Sequence, residues 1–386
     1  MDFKFENDTL TIFLEERVDS NNADQVGNEI DEIRTQNPNG AFVLDLEKTQ
    51  YLSSAGLRQV LRLKKKEKDF KVINACSEVY EIFDMTGFTE MIDIEKAFRK
   101  FSVEGCEVIG EGSNGIVYRV SADTIIKVYK NSDAINEIKN ERELAKTALV
   151  LGINTAIPFD IVKVGDLYGS VFEGLTSKSL TKLIKAEPDR LEEYIRVFVN
   201  FLKEIHATQV KPDLLPSAKQ RALKWARDLN GVIDDEHYNK LIRMLDEVPE
   251  TLNIVHGDYH TSNVHYDGQE PILIDMDTLS VGNPVFEMSN IFLAYQGFGE
   301  INHNGVSEFM KIDWDTATLV WNKTMELYFE GHDKEFVENM KHKACVVGFT
   351  RLLRRTRKRD ASNTVAINHC HDRLIEELDY VEDLIV

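Results

Sequence analysis

The sequence predicts two domains in tandem: a small α/β unit, then a larger α+β unit. Length, pattern and punctuation carry this reading. The chain has 386 residues, more than one hydrophobic core usually organises. Across residues 1–100, short apolar runs alternate with amphipathic stretches of helical period. Beyond them, a glycine-rich turn between two strand-like runs leads into long helical segments.

In the first unit, FKFENDTLTIFLE (3–15) has two alternating runs around Asn7-Asp8, which predicts a hairpin. ADQVGNEIDEIRTQ (23–36) carries Val26, Ile30 and Ile33 at helical spacing and ends in Asn37-Pro38-Asn39-Gly40. AFVLDLEK (41–48) is an apolar strand. SSAGLRQVLRLKKKEKD (53–69) opens with serines suited to cap a helix, with Leu57, Val60, Leu61 and Leu63 as its apolar residues. KVINAC (71–76) is a further strand, and SEVYEIFDMTGF (77–88) a short helix closed by Gly87. The pattern changes after IEKAFRKFSVEG (94–105), with no Pro/Gly/Ser-rich linker. The boundary is placed near 101–104.

On LDLEKTQYLSSAGLRQVL (44–61), with the strand and the EVYEIFDMTGF helix after it, the first unit resembles the STAS family of sulfate transporters and anti-sigma-factor antagonists. The resemblance implies an α/β STAS-like domain over 1–102, with a regulatory or interaction role and a candidate protein partner. In regulatory members of that family, a partner kinase phosphorylates the serine just before the glycine. Here that position is Ala55, and Ser54 and Ser53 lie one and two places earlier. Both are candidate regulatory phosphosites. Both can also cap the helix, and the two roles are compatible because a helix N-terminus favours negative charge.

In the second unit, GEGSNGIVY (110–118) spaces Gly110, Gly112 and Gly115 as GxGxxG. Glycines let a backbone bend sharply and offer N–H groups to phosphate oxygens. Alone, this motif also suits a dinucleotide-binding helix, but Ile116-Val117-Tyr118 continues as a strand. A second strand, TIIKVY (124–129), places Lys127 twelve residues after the last glycine, the arrangement that holds α- and β-phosphates in kinases. Such a lysine needs an acidic partner. The helical stretch 136–152 offers Glu141, one turn before Leu144 and Ala145, with Glu137 as the alternative. VFEGL (171–175) reads as a hinge, where main-chain groups from Glu173 to Leu175 would meet an adenine edge. The region 176–250 is mainly helical, and LEEYIRVFVNFLKEIHATQ (191–209) is its strongest amphipathic helix. His206 near its end reads as structural.

IVHGDYHTSNVHYDGQEPILIDMDTL carries the chemistry. Phosphoryl transfer needs an aligned hydroxyl and neutralised charge. Asp258 can take or orient the hydroxyl proton. Asn263, five residues on, can ligate magnesium through its amide oxygen. Asp275, after the apolar Ile272, Leu273 and Ile274, can hold the metal at the β- and γ-phosphates. His256 and Asp277 read as hydrogen-bonded loop supports, His260 as a neighbour of the phosphates, and His265 as incidental.

On HGDxxxxN, IDMD and GNPVFEMSNIF (282–292), residues 103–386 resemble the aminoglycoside phosphotransferase and choline kinase-like family. The resemblance implies a bilobal protein-kinase-like α+β fold, with an N-lobe over about 103–175 and a C-lobe over about 176–386. It implies ATP and Mg2+, Asp258 as base, Asn263 and Asp275 as metal ligands, and Lys127 as phosphate lysine. Glu287 stands where many members have aspartate. The family phosphorylates hydroxyls on antibiotics, choline, sugars and amino-alcohols, and some members act on proteins, so the acceptor hydroxyl is left open.

Composition trims the options. Hydrophobic content of 42% and charged content of 29% suit a folded soluble chain. The net charge of −20 argues against nucleic-acid or anionic-membrane partners. The N-terminus lacks a signal-peptide pattern, and the four scattered cysteines read as reduced thiols in a cytoplasmic protein. One basic run stands out, RLLRRTRKR (351–359). On a helix it presents Arg351, Arg354, Arg355 and Lys358 together, either as a docking face for acidic groups or phosphate or as a solvated face with Leu352 and Leu353 inward. The expected activity is phosphorylation of a small-molecule hydroxyl. The alternative is a signalling module that senses nucleotide or phosphorylates protein, its own Ser53 or Ser54 included.

Overall fold

The structure is a computed structural model and describes residues 1–112 and 114–386. It divides into two compact units: Met1–Ser102 with Ile161–Asp166, and Val103–Asp160 with Leu167–Val386.

The first unit is built on a five-stranded sheet in the order Phe3–Glu6, Thr9–Phe13, Ala41–Asp45, Phe70–Ala75, Asp93–Lys96. The first two strands form an antiparallel hairpin; the other pairings are parallel. Asn7 and Asp8 close the hairpin at φ +46° and +58°, the left-handed pair whose twist matches the flanking strands. Alternation in Thr9–Phe13 sends Leu10 and Ile12 fully inward. Helices Ala23–Gln36, Ser54–Lys66 and Ser77–Met85 add Val26 and Ile30, Val60 and Leu63, and Val79 and Phe83 to the same core. The edge strand Asp93–Lys96 is not anticipated by the sequence pattern, because Ile94 is its sole inward-leaning residue. Ser53 caps the second helix, its Oγ accepting from Ala55 N and Gly56 N at 3.2 and 3.4 Å. Such a cap stabilises a helix by about 1 kcal/mol. Ser54 is the exposed first residue of that helix.

In the second unit, strands Leu167–Glu173, Thr124–Tyr129, Gly115–Arg119 and Glu107–Glu111 lie side by side, all antiparallel. Helix Ile135–Val150 buries Ile138, Glu141, Leu144, Ala145 and Ala148 on one face. The remainder is mostly helical around one large core, to which Leu191–Ala207 contributes Tyr194, Phe198 and Leu202, and Val285–Phe292 its apolar Val285, Phe286, Met288, Ile291 and Phe292. Two short ladders matter most for the site. Ile254–Val255 pairs with Ser280–Val281, and Val264–Tyr266 with Ile272–Leu273. They clamp both ends of the loops 256–263 and 274–279, so the two loops must run side by side. Ile274 N to Asn263 O, 2.9 Å, extends the second ladder by one bond into the loops.

All four cysteines are free thiols, Cys345 and Cys370 buried, Cys76 and Cys106 partly so. Among the described residues, no helix is long and apolar enough to cross a membrane.

Candidate active site

The glycine loop joins two paired strands. Gly115 is required by close approach: a Cβ there would fall 2.5 Å from the Val128 carbonyl oxygen. Gly110 and Gly112 meet no such obstacle, so their lack of side chains leaves the face of the turn open. Gly112 N donates to Gly115 O at 2.9 Å, and Lys130 N to Asn114 O at 3.0 Å. At the end of the interior strand Leu167–Glu173, Glu173 N donates to Ile157 O and Gly174 N to Asp123 O. Leu175 therefore begins the segment beyond these committed amides.

Lys127 lies on the strand Thr124–Tyr129, opposite Ser170 and Val117. Its Nζ is 3.0 and 3.2 Å from the Glu141 carboxylate oxygens and 2.9 Å from Asp275 Oδ1. Burial works against the ammonium, but Asp275 and Glu141 together outweigh it and hold it well above the ordinary lysine range. Glu141 is 4% exposed and also accepts from the Tyr129 hydroxyl. Burial and the Glu141 charge push that phenol well up, so it stays a donor. Glu137, the other acidic candidate, is exposed.

Asp275 sits at φ +67°, ψ +67°. A non-glycine residue there costs about 1–2 kcal/mol, a strain that clusters at functional positions. The turn aims its carboxylate at Lys127. Asp277 is exposed at its edge, but desolvation of the carboxyl and the Asp275 charge push it up to about 7.

Asp258 follows Gly257, which has φ +83° and would place a Cβ 2.8 Å from Thr278 O. Glycine thus lets the two loops touch. Burial tends to raise the Asp258 carboxyl, but His260 and the Arg351 charge prevail and hold it far below the usual carboxylate range. His260 Nε2 lies 3.6 Å from Asp258 Oδ2, too long for a hydrogen bond. Asn263 Nδ2 donates to Asp258 O at 3.0 Å, which turns its amide oxygen away from that carbonyl.

Glu287 organises the loop. It is fully buried, and its carboxylate accepts from His256 N, from Gly257 N at 3.0 Å and from Tyr259 N at 3.4 Å. Burying a carboxylate costs several kcal/mol. Charge-assisted bonds at about 1.5–3 kcal/mol each offset that. Burial alone would raise Glu287; His206, His256 and the Gly257 amide overcome it and keep it low. The sequence marks Glu287 as the acid of the GNPVFEMSNIF motif but says nothing of what it holds, so its role as loop anchor is a structural finding.

The histidines sort differently from the sequence reading in one respect. His256 supports the loop through its backbone, with its N on Glu287 and its O accepting from Thr278 Oγ1 at 2.8 Å; both ring nitrogens are buried without a partner among the described residues. The hydrogen-bonded loop support of His256 therefore comes from its main chain and not from its ring. Asp277 likewise has no side-chain hydrogen bond among those described. His206 Nδ1 is 2.7 Å from the Tyr328 hydroxyl, and His265 Nδ1 3.1 Å from Ser177 O. His260 packs edge-on against Phe309.

RLLRRTRKR lies in the helix Lys334–Arg359, with Leu352 and Leu353 buried. Its basic face splits. Arg354 and Lys358 pair with Asp228, while Arg351 reaches Asn290 near the loops. Arg221, from helix Ala218–Arg227, donates to Thr278 O at 3.1 Å. The sequence gives no local signal for Arg221, because its neighbourhood is set by chain crossings.

A strand lysine clamped by two carboxylates, beside paired loops carrying Asp258, Asn263 and Asp275, defines a kinase-like phosphotransferase fold. Residues 105–302 match the APH phosphotransferase enzyme family, and residues 1–101 match the STAS domain. The chain belongs to the APH family and carries an N-terminal STAS domain. Solved structures agree on the fold. Aminoglycoside phosphotransferase APH(4)-Ia is 15% identical, covering 71% of this chain and 93% of its own, at TM-score 0.51. A thermostable variant of it, in ternary complex with AMP-PNP and hygromycin B, is 16% identical with the same coverage, at TM-score 0.50. No curated protein sequence matches.

Proposed function

We propose that this APH-family phosphotransferase moves the γ-phosphoryl group of ATP to a hydroxyl on a small molecule, with Asp258 as base. The observation that carries the reading is the join between Lys127, Glu141 and Asp275, beside a loop that fixes Asp258 and Asn263. The acceptor oxygen attacks the γ-phosphorus, the bond to the β–γ bridging oxygen breaks, ADP leaves, and the hydroxyl proton passes to Asp258. Asp258 suits this role because it stays ionised. Lys127 would hold the α- and β-phosphates, with Glu141 and Tyr129 fixing its position. The turn bearing Gly110, Gly112 and Gly115 would cover the phosphates, and the main chain of Glu173 and Leu175 would meet the adenine. The complex of APH(4)-Ia with AMP-PNP is in keeping with a nucleotide donor.

The donor set fits magnesium. Asp275 and the outward amide oxygen of Asn263 are hard oxygen ligands, and crowded acidic groups raise Asp277. Among the described residues, no group of three His, Cys, Asp or Glu side chains could hold a metal, so phosphate oxygens and water would complete the shell. Bound magnesium supplies neutralisation of phosphate charge.

Asp258→Asn should lower acceptor-dependent ATP turnover by roughly 10²–10⁴-fold with little change in nucleotide affinity. Near-normal turnover in that variant would remove Asp258 from the role. The STAS unit is proposed as the regulatory or partner-binding part. Ser53 already spends its oxygen on the cap, so exposed Ser54 is the better candidate phosphosite. Intact-mass measurement after incubation with ATP and magnesium tests the alternative of self-phosphorylation: one added phosphate that Ser54→Ala abolishes would support it, and an unchanged mass would reject it.

A further inference from the structure

Three guanidinium groups gather near Asp258, and none has an ion-pair partner among the described residues. Arg351 donates to the neutral Asn290 amide and lies 5.3 Å over the Trp225 ring. Arg355, one turn further along the same helix, lies 5.3 Å over Phe298. Among the described residues, Arg221 donates to Thr278 O. Arg221, Trp225 and Asn290 line a small cavity together with Gly257, the residue before Asp258. On the other flank an aromatic chain leads back to the same carboxylate. Phe298 meets Phe309 at 5.4 Å, Phe309 meets His260 at 5.3 Å, and His260 reaches Asp258 at 3.6 Å.

The arrangement is unfavourable by itself. Arg351 opposes the charge of both Arg221 and Arg355, and all three are partly desolvated. The chain has 66 acidic side chains and a net charge of −20. It uses one of them, Asp228, to pair Arg354 and Lys358 on this very helix. Among the described residues, Arg351 has Asp258, Glu287 and Asp277 as distant counter-charges, whereas Arg355 has Asp258. A guanidinium fork matches a planar or tetrahedral oxyanion, and aromatic stacking holds it ready. A polycationic acceptor would meet repulsion at the same place.

We propose that the acceptor is a small anionic hydroxyl compound, whose phosphate or carboxylate binds Arg351 and Arg355 in the field of Arg221 while its hydroxyl reaches Asp258. The proposal deepens the phosphotransferase reading and rests on it. Its test is calorimetric binding of inorganic phosphate, and separately of malonate, to the full-length protein saturated with Mg·ADP. At least one anion should bind, and Arg355→Gln should weaken it roughly tenfold or more, as expected for a lost charge-assisted bond. Stronger phosphate binding would mark a phosphate monoester, and stronger malonate binding a carboxylate. Arg354→Gln, on the Asp228 side, should bind like wild type and shows whether the helix tolerates the change. Absence of both anions from the wild type, or equal binding by Arg355→Gln, would overturn the proposal. Nucleotide binding is read first, by titrating Mg·ADP into the same protein, and the anions are also titrated without nucleotide. If Mg·ADP fails to bind, the phosphotransferase reading fails separately, and the Arg355 dependence of anion binding still decides this one.

Discussion

Lys127 and Arg355 are both partly buried cations in the same unit, and they are treated in opposite ways. Lys127 touches two carboxylates, one of them anchored by a tyrosine hydroxyl. Arg355 rests on a phenylalanine ring and touches no carboxylate among those described. A paired cation is positioned before any substrate arrives, which suits a group meant to hold the same phosphates in every turnover. An unpaired one retains its charge for a ligand that brings its own. On the proposed reading, the difference separates a side of the site common to a reaction class from a side that chooses the acceptor.

Two substitutions sharpen that comparison. Asp275→Asn should have the larger effect. It removes the carboxylate of the proposed magnesium site and one partner of Lys127. Turnover should fall by roughly 10²-fold or more, and nucleotide affinity should lose its dependence on magnesium, as a nucleotide titration with and without the metal would report. Retained magnesium dependence would move the metal elsewhere. Glu287→Gln should have the smaller effect. It keeps the shape but weakens the bonds to the His256, Gly257 and Tyr259 amides. Thermal or denaturant unfolding should show a loss of about 2–4 kcal/mol. Turnover should fall through kcat more than KM, because the loop carrying Asp258 loses its anchor. An unfolding curve matching wild type would show that Glu287 is not that anchor.

The same contrast explains what the sequence disclosed. Lys127 and Glu141 are fourteen residues apart, on a strand and the helix after it, and Asp258, Asn263 and Asp275 fall within eighteen positions. Local spacing therefore brings them into view. In the first unit, alternation and helical period were strong wherever residues faced a core, as in Thr9–Phe13 and Ala23–Gln36. They were weak in the edge strand Asp93–Lys96, which buries almost nothing. Arg221, Asn290, Phe298, Arg351 and Arg355 come from separate segments brought together by helix packing, and no periodicity announces that meeting. The basic run was visible as a run, but its division between Asp228 and the site depends on which way each turn of the helix faces.

The central claim is that one carboxylate, Asp258, serves an acceptor side selective for anions. The most direct measurement is steady-state ATP consumption by the full-length protein across sugar phosphates, hydroxy acids, neutral polyols and kanamycin, repeated with Asp258→Asn and Arg355→Gln. An anionic hydroxyl compound should stimulate turnover and kanamycin should not; Asp258→Asn should abolish that turnover, and Arg355→Gln should raise its KM. Turnover of kanamycin with Arg355→Gln indifferent, or stimulation that survives Asp258→Asn, would contradict the claim.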